Sequence, residues 1–249
     1  MSRTILITGG GTGIGRALAR HFAETEEGGT VVITGRRAGV LAEVVLDIAD
    51  RPGKAAHVMA LECDHTDPAA VAELVAKLPD RIDVLVNNAG GNTDFDAEGA
   101  SDLAAYARDF RANLDANLVS AALTTKAVEQ RLAAGGSVVN IGSIAADQGA
   151  GSYGAAKAGL VAWNVSLAGE LGARGVTANV VAPGYTVETE FFRDKLADAR
   201  RDALVAATDT GRAGTPADIA GAVAFLASPA ARHVTGQVLH VNGGAHKGR

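Results

Sequence analysis

The chain has 249 residues and a formal net charge of −5, and 47% of its residues are hydrophobic. This length is enough for one sizeable core, and α/β chains of this size often form a single domain. The charge argues against nucleic acid as the main partner, because a nucleic-acid-binding protein needs a basic face. The single cysteine, Cys63, excludes an intramolecular disulfide and fits a reducing compartment.

The sequence shows no signal for a membrane, a metal or a second domain. No apolar run is long enough to span a membrane, and residues 2–7 lead directly into a strand, so we expect a cytoplasmic protein without a signal peptide. The six histidines show no metal-ligand spacing, and we predict no metal site. We find no repeat and no linker, so residues 1–249 are predicted to form one domain.

Short apolar runs alternate with helix-length segments along the whole chain, which predicts a parallel sheet with right-handed crossovers. The runs are nearly continuously apolar, as expected of strands that are covered on both faces. Seven strands are predicted, at Thr4–Thr8, Thr30–Thr34, Ala56–Cys63, Val84–Asn87, Ser137–Ile141, Thr177–Ala182 and Gln237–Val241.

Helices are predicted between these strands. Asp67 and Thr215 are candidate N-caps, because each stands directly before a proline, Pro68 or Pro216, that suits a first helical turn. The polar, turn-rich segment Gly90–Ser101 is predicted to be a loop. The predicted helices are Ile14–Thr25, Gly39–Asp50, Ala69–Leu78, Leu103–Ala134, Ser152–Ala173, Thr189–Asp209 and Pro216–Ala227.

A glycine-rich turn, Thr8-Gly-Gly-Gly-Thr-Gly-Ile-Gly15, follows the first strand and opens the first helix. Gly9, Gly13 and Gly15 allow the backbone to turn tightly and to approach a pyrophosphate at the helix N-terminus, where free N–H groups and the helix dipole favour anions. The spacing is G-x-x-x-G-x-G rather than the common G-x-G-x-x-G. Such a turn alone also fits an ordinary strand-to-helix connection.

The end of the second strand indicates which dinucleotide is bound. An NAD site usually has an acidic residue here that binds the ribose 2′-hydroxyl, but this chain has Gly35 followed by Arg36 and Arg37. Arginine pairs well with a 2′-phosphate, so NADP(H) is favoured. NAD(H) remains an alternative, in which the two arginines are solvated loop residues.

Polar residues also follow the third and fourth strands, at the edge where open α/β sheets bind ligands. Asp64 is a candidate acceptor for an adenine amino group, or else a turn acid before Pro68. The run Asn87-Asn-Ala-Gly90 is predicted to line the adenosine, to hold neighbouring backbone, or both.

Tyr153 and Lys157 stand four residues apart on a predicted helix, so their side chains share one face. We expect the ammonium to lower the pKa of the phenol, which makes the tyrosine a tuned proton donor. Ser143, just past the fifth strand, is placed to polarise a carbonyl group. Together with a dinucleotide site, these residues predict redox chemistry on a carbonyl or an alcohol.

The chain resembles the short-chain dehydrogenase/reductase family over nearly its whole length, and it looks most similar to the 3-oxoacyl-acyl-carrier-protein reductase branch. The resemblance implies a single-domain Rossmann-like doubly wound parallel sheet of about seven strands with helices on both faces. It rests on Thr8-Gly9-x-x-x-Gly13-x-Gly15, Asn87-Asn88-Ala89-Gly90, Ser143, Tyr153-x-x-x-Lys157, Pro183-Gly184 and residues 236–244, in this order.

The resemblance implies a catalytic role for four residues. Tyr153 would be the general acid in reduction, Lys157 would bind the nicotinamide ribose, and Ser143 would hydrogen-bond the carbonyl oxygen. Asn117 would hold the water of a proton relay and fits the family pattern better than Asn113, which we expect to be a solvated or helix-packing residue.

The resemblance also implies a cofactor site. Pro183-Gly184 would close over the nicotinamide, and either Thr186 or Thr189 would bond its carboxamide. The residues assigned to the cofactor are Gly9, Thr12, Gly13, Ile14, Gly15, Arg36, Arg37, Asp64, Asn87, Ala89, Gly90, Tyr153, Lys157, Pro183, Gly184, Thr186 and Thr189.

Two departures from the family pattern concern the substrate. The segment Ile144–Ser152 is shorter than usual, and it helps to shape the substrate pocket. Of the two arginines with which the branch docks its carrier protein, one matches Arg174, but Ala134 stands at the other position and Arg131 lies a turn earlier. Docking of an acyl carrier protein is therefore doubtful.

The leading interpretation is an NADPH-dependent carbonyl reductase, reversibly an alcohol dehydrogenase, acting on a small-molecule ketone or secondary alcohol that includes 3-oxoacyl types. The alternatives are an NAD-dependent enzyme of the same family and a non-catalytic NADP-binding sensor or scaffold. The intact Ser143, Tyr153 and Lys157 argue against the last. Because the family is mostly tetrameric, a homotetramer is expected.

Overall fold

A computed structural model describes residues 2–51, 53–96, 99–193 and 195–248 of the chain. Its strands are β1 (Thr4–Thr8), β2 (Thr30–Gly35), β3 (His57–Glu62), β4 (Ile82–Asn87), β5 (Leu132–Ile141), β6 (Thr177–Pro183) and β7 (Val238–Val241). They form one parallel sheet in the order β3-β2-β1-β4-β5-β6-β7. The predicted parallel seven-stranded sheet is therefore confirmed.

Helices cover both faces of this sheet, because successive residues of each strand point to opposite sides. In β1, Ile5 and Ile7 pack into one apolar cluster, while Leu6 packs into another on the opposite face. The helices are α1 (Gly13–Thr25), α2 (Ala38–Ala49), α3 (Pro68–Lys77), α4 (Leu103–Leu114), α5 (Ser120–Val128), α6 (Ala145–Gln148), α7 (Gly151–Gly172), α8 (Asp198–Ala206) and α9 (Pro216–Leu226).

The strand order reverses beside β1, since the chain builds outward through β2 and β3 and then crosses back to β4 on the other side. Open α/β sheets bind ligands at such a switch point, outside the carboxyl ends of the strands. The glycine turn and the loop after β4 meet there. This is where the fold places the site.

Both predicted N-caps are confirmed. Asp67 accepts a hydrogen bond from the backbone N–H of Ala69 at 2.9 Å. Thr215 forms a capping box with Asp218: its hydroxyl accepts from the Asp218 backbone N–H at 3.3 Å, and the Asp218 carboxylate accepts from the Thr215 N–H at 2.7 Å. These caps begin α3 and α9 immediately before their prolines.

The predicted single helix Leu103–Ala134 is wrong. A π-helical turn over residues 115–119 separates α4 from α5, and Leu132–Ala134 already belong to β5. Leu132 pairs with Ile82 of β4, so sheet formation overrides the helix propensity of this alanine-rich run.

One other predicted helix differs from the structure, and two further segments contain short helical turns. Of the predicted helix Thr189–Asp209, only Asp198–Ala206 is helical, residues 189–193 are bends and turns, and Asp194 lies outside the described residues. The segment between Ser143 and Tyr153 contains the short helix α6. The predicted loop Gly90–Ser101 has a turn at Thr93–Phe95, and its residues 97 and 98 lie outside the described part.

In the part of the chain that the structure describes, none of the helices combines the length and the apolar character needed to cross a bilayer.

Candidate active site

A cleft of about 850 Å³ lies at the carboxyl edge of the sheet. It runs from the glycine turn and the two arginines, past the end of β4, to α7 and the segment after β6. The predicted site residues that line it are Gly9, Thr12, Gly13, Ile14, Arg36, Arg37, Asp64, Ala89, Gly90, Ser143, Tyr153, Lys157, Pro183, Gly184, Thr186 and Thr189. Gly15, Asn87 and Asn117 lie behind this lining.

The N-terminus of α1 opens into the cleft with its backbone donors available. Thr12 is the extended N-cap, its side chain makes no capping hydrogen bond among the described residues, and the first turn holds no acid. A helix N-terminus of this kind binds anionic groups through free N–H groups and the helix dipole. The turn therefore fits a pyrophosphate.

Gly15 allows the close approach between α1 and the glycine turn. A Cβ atom at this position would lie 2.1 Å from the carbonyl oxygen of Gly9, so only glycine allows α1 to approach the turn this closely. Its assignment to the cofactor stays a prediction, and the close contact adds a packing role.

Asn88, which belongs to the predicted Asn87–Gly90 run but was not assigned to the cofactor, ties the glycine turn to the end of β4. Its Nδ2 donates to the carbonyl oxygens of Thr8 and Gly9 at 2.9 and 3.0 Å. In return, the Thr8 hydroxyl accepts from the backbone N–H groups of Asn88 and Ala89 at 3.0 and 2.9 Å. The two loops that flank the switch point are thus held as one unit.

Asn87 points into the core instead of the cleft, which corrects the expectation that it lines the adenosine. Its Nδ2 donates to the Thr125 hydroxyl at 2.9 Å and to Asn140 Oδ1 at 2.8 Å. Asn140 in turn donates to Asn164 Oδ1 at 3.0 Å. This buried chain of amides joins β4 to β5, α5 and α7 beneath the site.

The end of β2 presents Arg36 and Arg37 to the cleft. Arg37 pairs with Glu190 at 2.7 Å, and both side chains are more than half exposed. Arg36 lies near Asp64, whose pKa is lowered mainly by hydrogen bonds from Thr66 and further by the charge of Arg36. Asp64 is thus a turn acid that also lines the cleft.

Ser143, Tyr153 and Lys157 converge on the opposite wall. Lys157 Nζ lies 5.8 Å from the centroid of the Tyr153 ring and donates to the carbonyl oxygen of Ile141 at 2.8 Å. Both side chains are almost fully buried. The carbonyl oxygen of β5 therefore orients the ammonium beneath the phenol.

The expected lowering of the Tyr153 pKa is not what this environment produces. Burial raises the pKa of Tyr153 to about 12, against a smaller opposing effect of the Ser143 hydroxyl. Burial also lowers the pKa of Lys157 to about 8. Desolvation outweighs the attraction between phenolate and ammonium here, because it disfavours the charged form of each group.

Asn117 lies in the π-helical turn, and its side chain forms hydrogen bonds with backbone groups. Its Oδ1 accepts from the N–H of Gly91 at 3.0 Å, and its Nδ2 donates to the carbonyl oxygens of Gly91 and Asn113 at 2.8 and 3.0 Å. The side chain thus fixes the loop after β4.

Asn113 is fully buried, so of its two expected roles, solvated or helix-packing, the structure excludes the first and fits the second. Its Oδ1 accepts from the N–H of Thr93 at 3.0 Å, and its Nδ2 donates to Asp94 Oδ1 and to the Ser152 hydroxyl, both at 2.8 Å. It joins the loop after β4 to the residue next to Tyr153. The sequence feature that points to Asn113 is its spacing from Asn117, which places both side chains on one helix face.

An aromatic cluster, defined by Phe95, Phe191, Phe192 and Tyr185, lies at the end of the cleft that holds Tyr153. The ring of Phe191 lies 5.4 Å from that of Tyr153 and 5.7 Å from that of Phe95. Phe192 contacts Phe95, Phe191 and Tyr185 at centroid distances of 5.6, 4.9 and 5.9 Å. These spacings are typical of favourable aromatic pairs.

Polar contacts join the two segments that carry this cluster. Arg193 pairs with Asp96 at 2.6 Å, and the Lys195 ammonium donates to the carbonyl oxygen of Phe95. The loop after β4 and the segment after β6 therefore meet across the mouth of the cleft. This contact was not predicted from the sequence, because Phe191 and Phe192 lie within the predicted helix Thr189–Asp209.

Arg131 and Arg174, the two arginines considered for docking of a carrier protein, both donate hydrogen bonds to backbone carbonyl groups of the chain. Arg174 donates to the carbonyl oxygens of Glu129 and Leu132. Arg131 donates to the carbonyl oxygens of Leu78 and Pro79 at 2.6 and 3.1 Å. Both side chains are partly buried in these contacts.

Comparison with known proteins agrees with this architecture. A family model described as Enoyl-(Acyl carrier protein) reductase matches residues 9–246. The 3-oxoacyl-[acyl-carrier-protein] reductase FabG of Escherichia coli (strain K12) is 38% identical over 251 residues, which cover 97% of this chain and 96% of that protein.

Solved structures also match this chain over nearly its whole length. A short-chain type dehydrogenase/reductase from Mycobacterium ulcerans matches with a TM-score of 0.87 and 29% identity, over 98% of this chain and 89% of that one. A blue fluorescent protein from a metagenomic library, in complex with NADPH, matches with a TM-score of 0.82 and 33% identity, over 98% of each chain. The chain therefore belongs to the short-chain dehydrogenase/reductase family and is an oxidoreductase that acts on carbonyl or hydroxyl groups.

Proposed function

We propose that the protein is an NADPH-dependent carbonyl reductase, reversibly an alcohol dehydrogenase, that acts on free apolar ketones. The observation that carries the proposal is the convergence of Ser143, Tyr153 and Lys157 on one wall of a cleft whose other end is the N-terminus of α1. Ser143 supplies a hydrogen-bond donor, Tyr153 a proton and Lys157 a fixed cation. The N-terminus of α1 supplies an anion site.

The roles of the residues follow from this arrangement. When bound, the nicotinamide supplies or accepts the hydride. Ser143 hydrogen-bonds the substrate oxygen, and Tyr153 Oη gives that oxygen its proton as negative charge develops during reduction. Lys157 keeps a positive charge beneath the phenol, which favours loss of the proton at the moment of transfer. In oxidation, the phenolate takes the proton back.

NADPH is preferred over NADH in this proposal. The two arginines at the end of β2 suit a 2′-phosphate. Gly35 occupies the position at which an NAD site has an acidic residue. The similar protein bound to NADPH supports the same preference. An NAD-dependent enzyme is the alternative.

A free apolar ketone fits the cleft better than a carrier-bound substrate. The aromatic cluster offers an apolar wall directly beside Tyr153. Arg131 and Arg174 are held by backbone carbonyl groups, and Ala134 replaces the second docking arginine. The name of the Escherichia coli relative keeps a 3-oxoacyl group among the candidate substrates.

We include a homotetramer in the proposal. Leu103 and Tyr106 of α4 and Val165 of α7 are large apolar side chains that are more than half exposed. These two helices pack together and present such side chains to solvent, as an oligomer interface requires. The mass of the protein in solution, measured by light scattering, tests this state, and a monomer would contradict it.

The test of the reductase activity compares substrates at a fixed NADPH concentration. We expect turnover of free ketones, including bulky apolar ones, and no strict need for acyl carrier protein. Phe191→Ala removes the wall beside Tyr153 and is expected to raise KM for bulky ketones roughly tenfold, because lost apolar contact weakens binding. Phe225→Ala, at an exposed position of α9, is the matched control.

Two results would contradict the proposal in different ways. Activity confined to carrier-bound 3-oxoacyl substrates would overturn the substrate assignment alone. Binding of NADPH without turnover of any ketone or alcohol would favour the non-catalytic sensor.

A further inference from the structure

Three side chains from distant parts of the sequence meet beside the catalytic cleft: Asp147 of α6, His240 of β7 and His246 in the segment after β7. Their potential ligand atoms all lie within 4.8 Å of one another. His246 Nε2 lies 3.4 Å from Asp147 Oδ2, and the two imidazole rings have a centroid distance of 4.9 Å. Two imidazoles and a carboxylate thus lie close enough together for one ion to contact all three.

The side chain of Asn242 holds the backbone of His246 without a contact to the imidazole ring. Asn242 Nδ2 donates to the carbonyl oxygen of His246 at 3.0 Å, and Asn242 Oδ1 accepts from the N–H groups of Gly244 and His246 at 2.9 and 3.3 Å. Gln148 of α6 donates to the carbonyl oxygen of Ala245 at 3.4 Å. The segment after β7 is therefore folded back against α6.

His240 contributes a second, independent observation. Its Nδ1 is buried and has no hydrogen-bond partner among the residues that the structure describes. A buried imidazole nitrogen without a partner is unfavourable, whereas a bound cation or its water ligand satisfies such a nitrogen.

We propose that Asp147, His240 and His246 form a binding site for a divalent transition metal of the Zn²⁺ class. Imidazole and carboxylate ligands suit Zn²⁺, whereas Mg²⁺ and Ca²⁺ prefer oxygen ligands throughout. Ligand bonds of about 2.0–2.1 Å in a tetrahedral site place the ligand atoms about 3.4 Å apart. The 3.4 Å between His246 Nε2 and Asp147 Oδ2 already meets this value, and the potential ligand atoms of all three residues lie within 4.8 Å of one another.

The site has a structural consequence for the neighbouring cleft. Asp147 lies on the segment between Ser143 and Tyr153, and the next residue, Gln148, lines the cleft. Three protein ligands leave one coordination position for water. The metal fixes α6 to β7 and the segment after it, and so it rigidifies one side of the substrate region. It takes no part in hydride or proton transfer.

The experiment titrates the metal-free protein with Zn²⁺ in competition with a chromogenic chelator. We expect one equivalent per chain, a higher thermal unfolding midpoint with Zn²⁺ and no such shift with Mg²⁺. Asp147→Asn and His246→Gln should each weaken binding roughly tenfold or more, since each removes one of only three protein ligands. Asp147 is exposed, so the first variant keeps the fold.

His57→Gln, an exposed histidine on β3, is the matched control and should bind Zn²⁺ as the wild type does. Co²⁺ gives an independent readout, because a tetrahedral site with imidazole ligands produces an intense visible absorption band. That band should appear in the wild type and be lost in Asp147→Asn and His246→Gln. Absence of Zn²⁺ binding to the wild type, or equal affinity in all four proteins, would overturn the site. Neither result bears on the reductase activity.

Discussion

Replacing Tyr153 with phenylalanine is expected to remove nearly all turnover while NADPH still binds. The phenylalanine ring keeps the packing against Phe191, whose centroid lies 5.4 Å away, but it cannot give a proton to the substrate oxygen. A positioned general acid contributes roughly 10²–10⁴-fold to the rate, so kcat should fall by that factor. The measurement is kcat with a ketone substrate, together with the Kd for NADPH from a fluorescence titration.

Tyr185→Phe is the matched control for this variant. Tyr185 also lines the cleft, and its ring contacts Phe192 instead of lying beside Lys157. We expect its kcat to stay within a few-fold of the wild type. Near-normal turnover in Tyr153→Phe would remove Tyr153 from the catalytic assignment, and a loss of NADPH binding would show that the hydroxyl serves the cofactor as well.

The second large effect concerns cofactor choice: Gly35→Asp combined with Arg36→Ala is expected to reverse the preference from NADPH to NADH. An aspartate accepts a hydrogen bond from the free 2′-hydroxyl and repels a 2′-phosphate. A charge-assisted hydrogen bond contributes roughly 1.5–3 kcal/mol, which is on the order of ten- to a hundred-fold in affinity. The ratio of kcat/KM for the two cofactors measures the effect.

The structure makes Gly35 a workable site for this change. A Cβ atom there would meet only Leu41 Cδ2, at an ordinary contact distance of 3.8 Å. Arg37→Ala alone is the control, and we expect a smaller effect because Arg37 already pairs with Glu190. Wild-type kinetics in which NADH equals or exceeds NADPH would defeat the assignment and leave both arginines as surface charges.

The architecture was accessible from sequence because it depends on local signals. Nearly continuous apolar runs indicate buried parallel strands, and β1 has the predicted bounds. A proline preceded by aspartate or threonine indicates where a helix begins, as α3 and α9 confirm. Because the strands are parallel, their carboxyl ends lie at one edge of the sheet. Prediction failed at residues 132–134, where pairing with β4 competes with a strong local preference for helix.

The inner layer of the site was not accessible in this way, because it depends on which partner each polar group finds. Nothing in the sequence indicates that Asn87 turns toward Asn140 or that Asn113 is buried against Asp94. The pKa of Tyr153 is a similar case: burial, which spacing does not report, reverses the expected direction. The cluster of Asp147, His240 and His246 forms only when β7 and α6 meet in space.

The amide contacts of Asn113 and Asn117 allow the substrate range to change without a change in the backbone of the loop after β4. These side chains hold the backbone of the loop after β4 against α4 and α7, whereas the ring of Phe95 on the same loop packs against Phe191 and Phe192. Substitutions at Phe95 and Phe192 are therefore expected to alter which substrates are accepted, while Asn113 and Asn117 keep the backbone of this loop in place. Evolution or laboratory selection is therefore expected to change the substrate range through substitutions in the aromatic cluster. Substitutions at the two asparagines would disturb the backbone of the loop after β4.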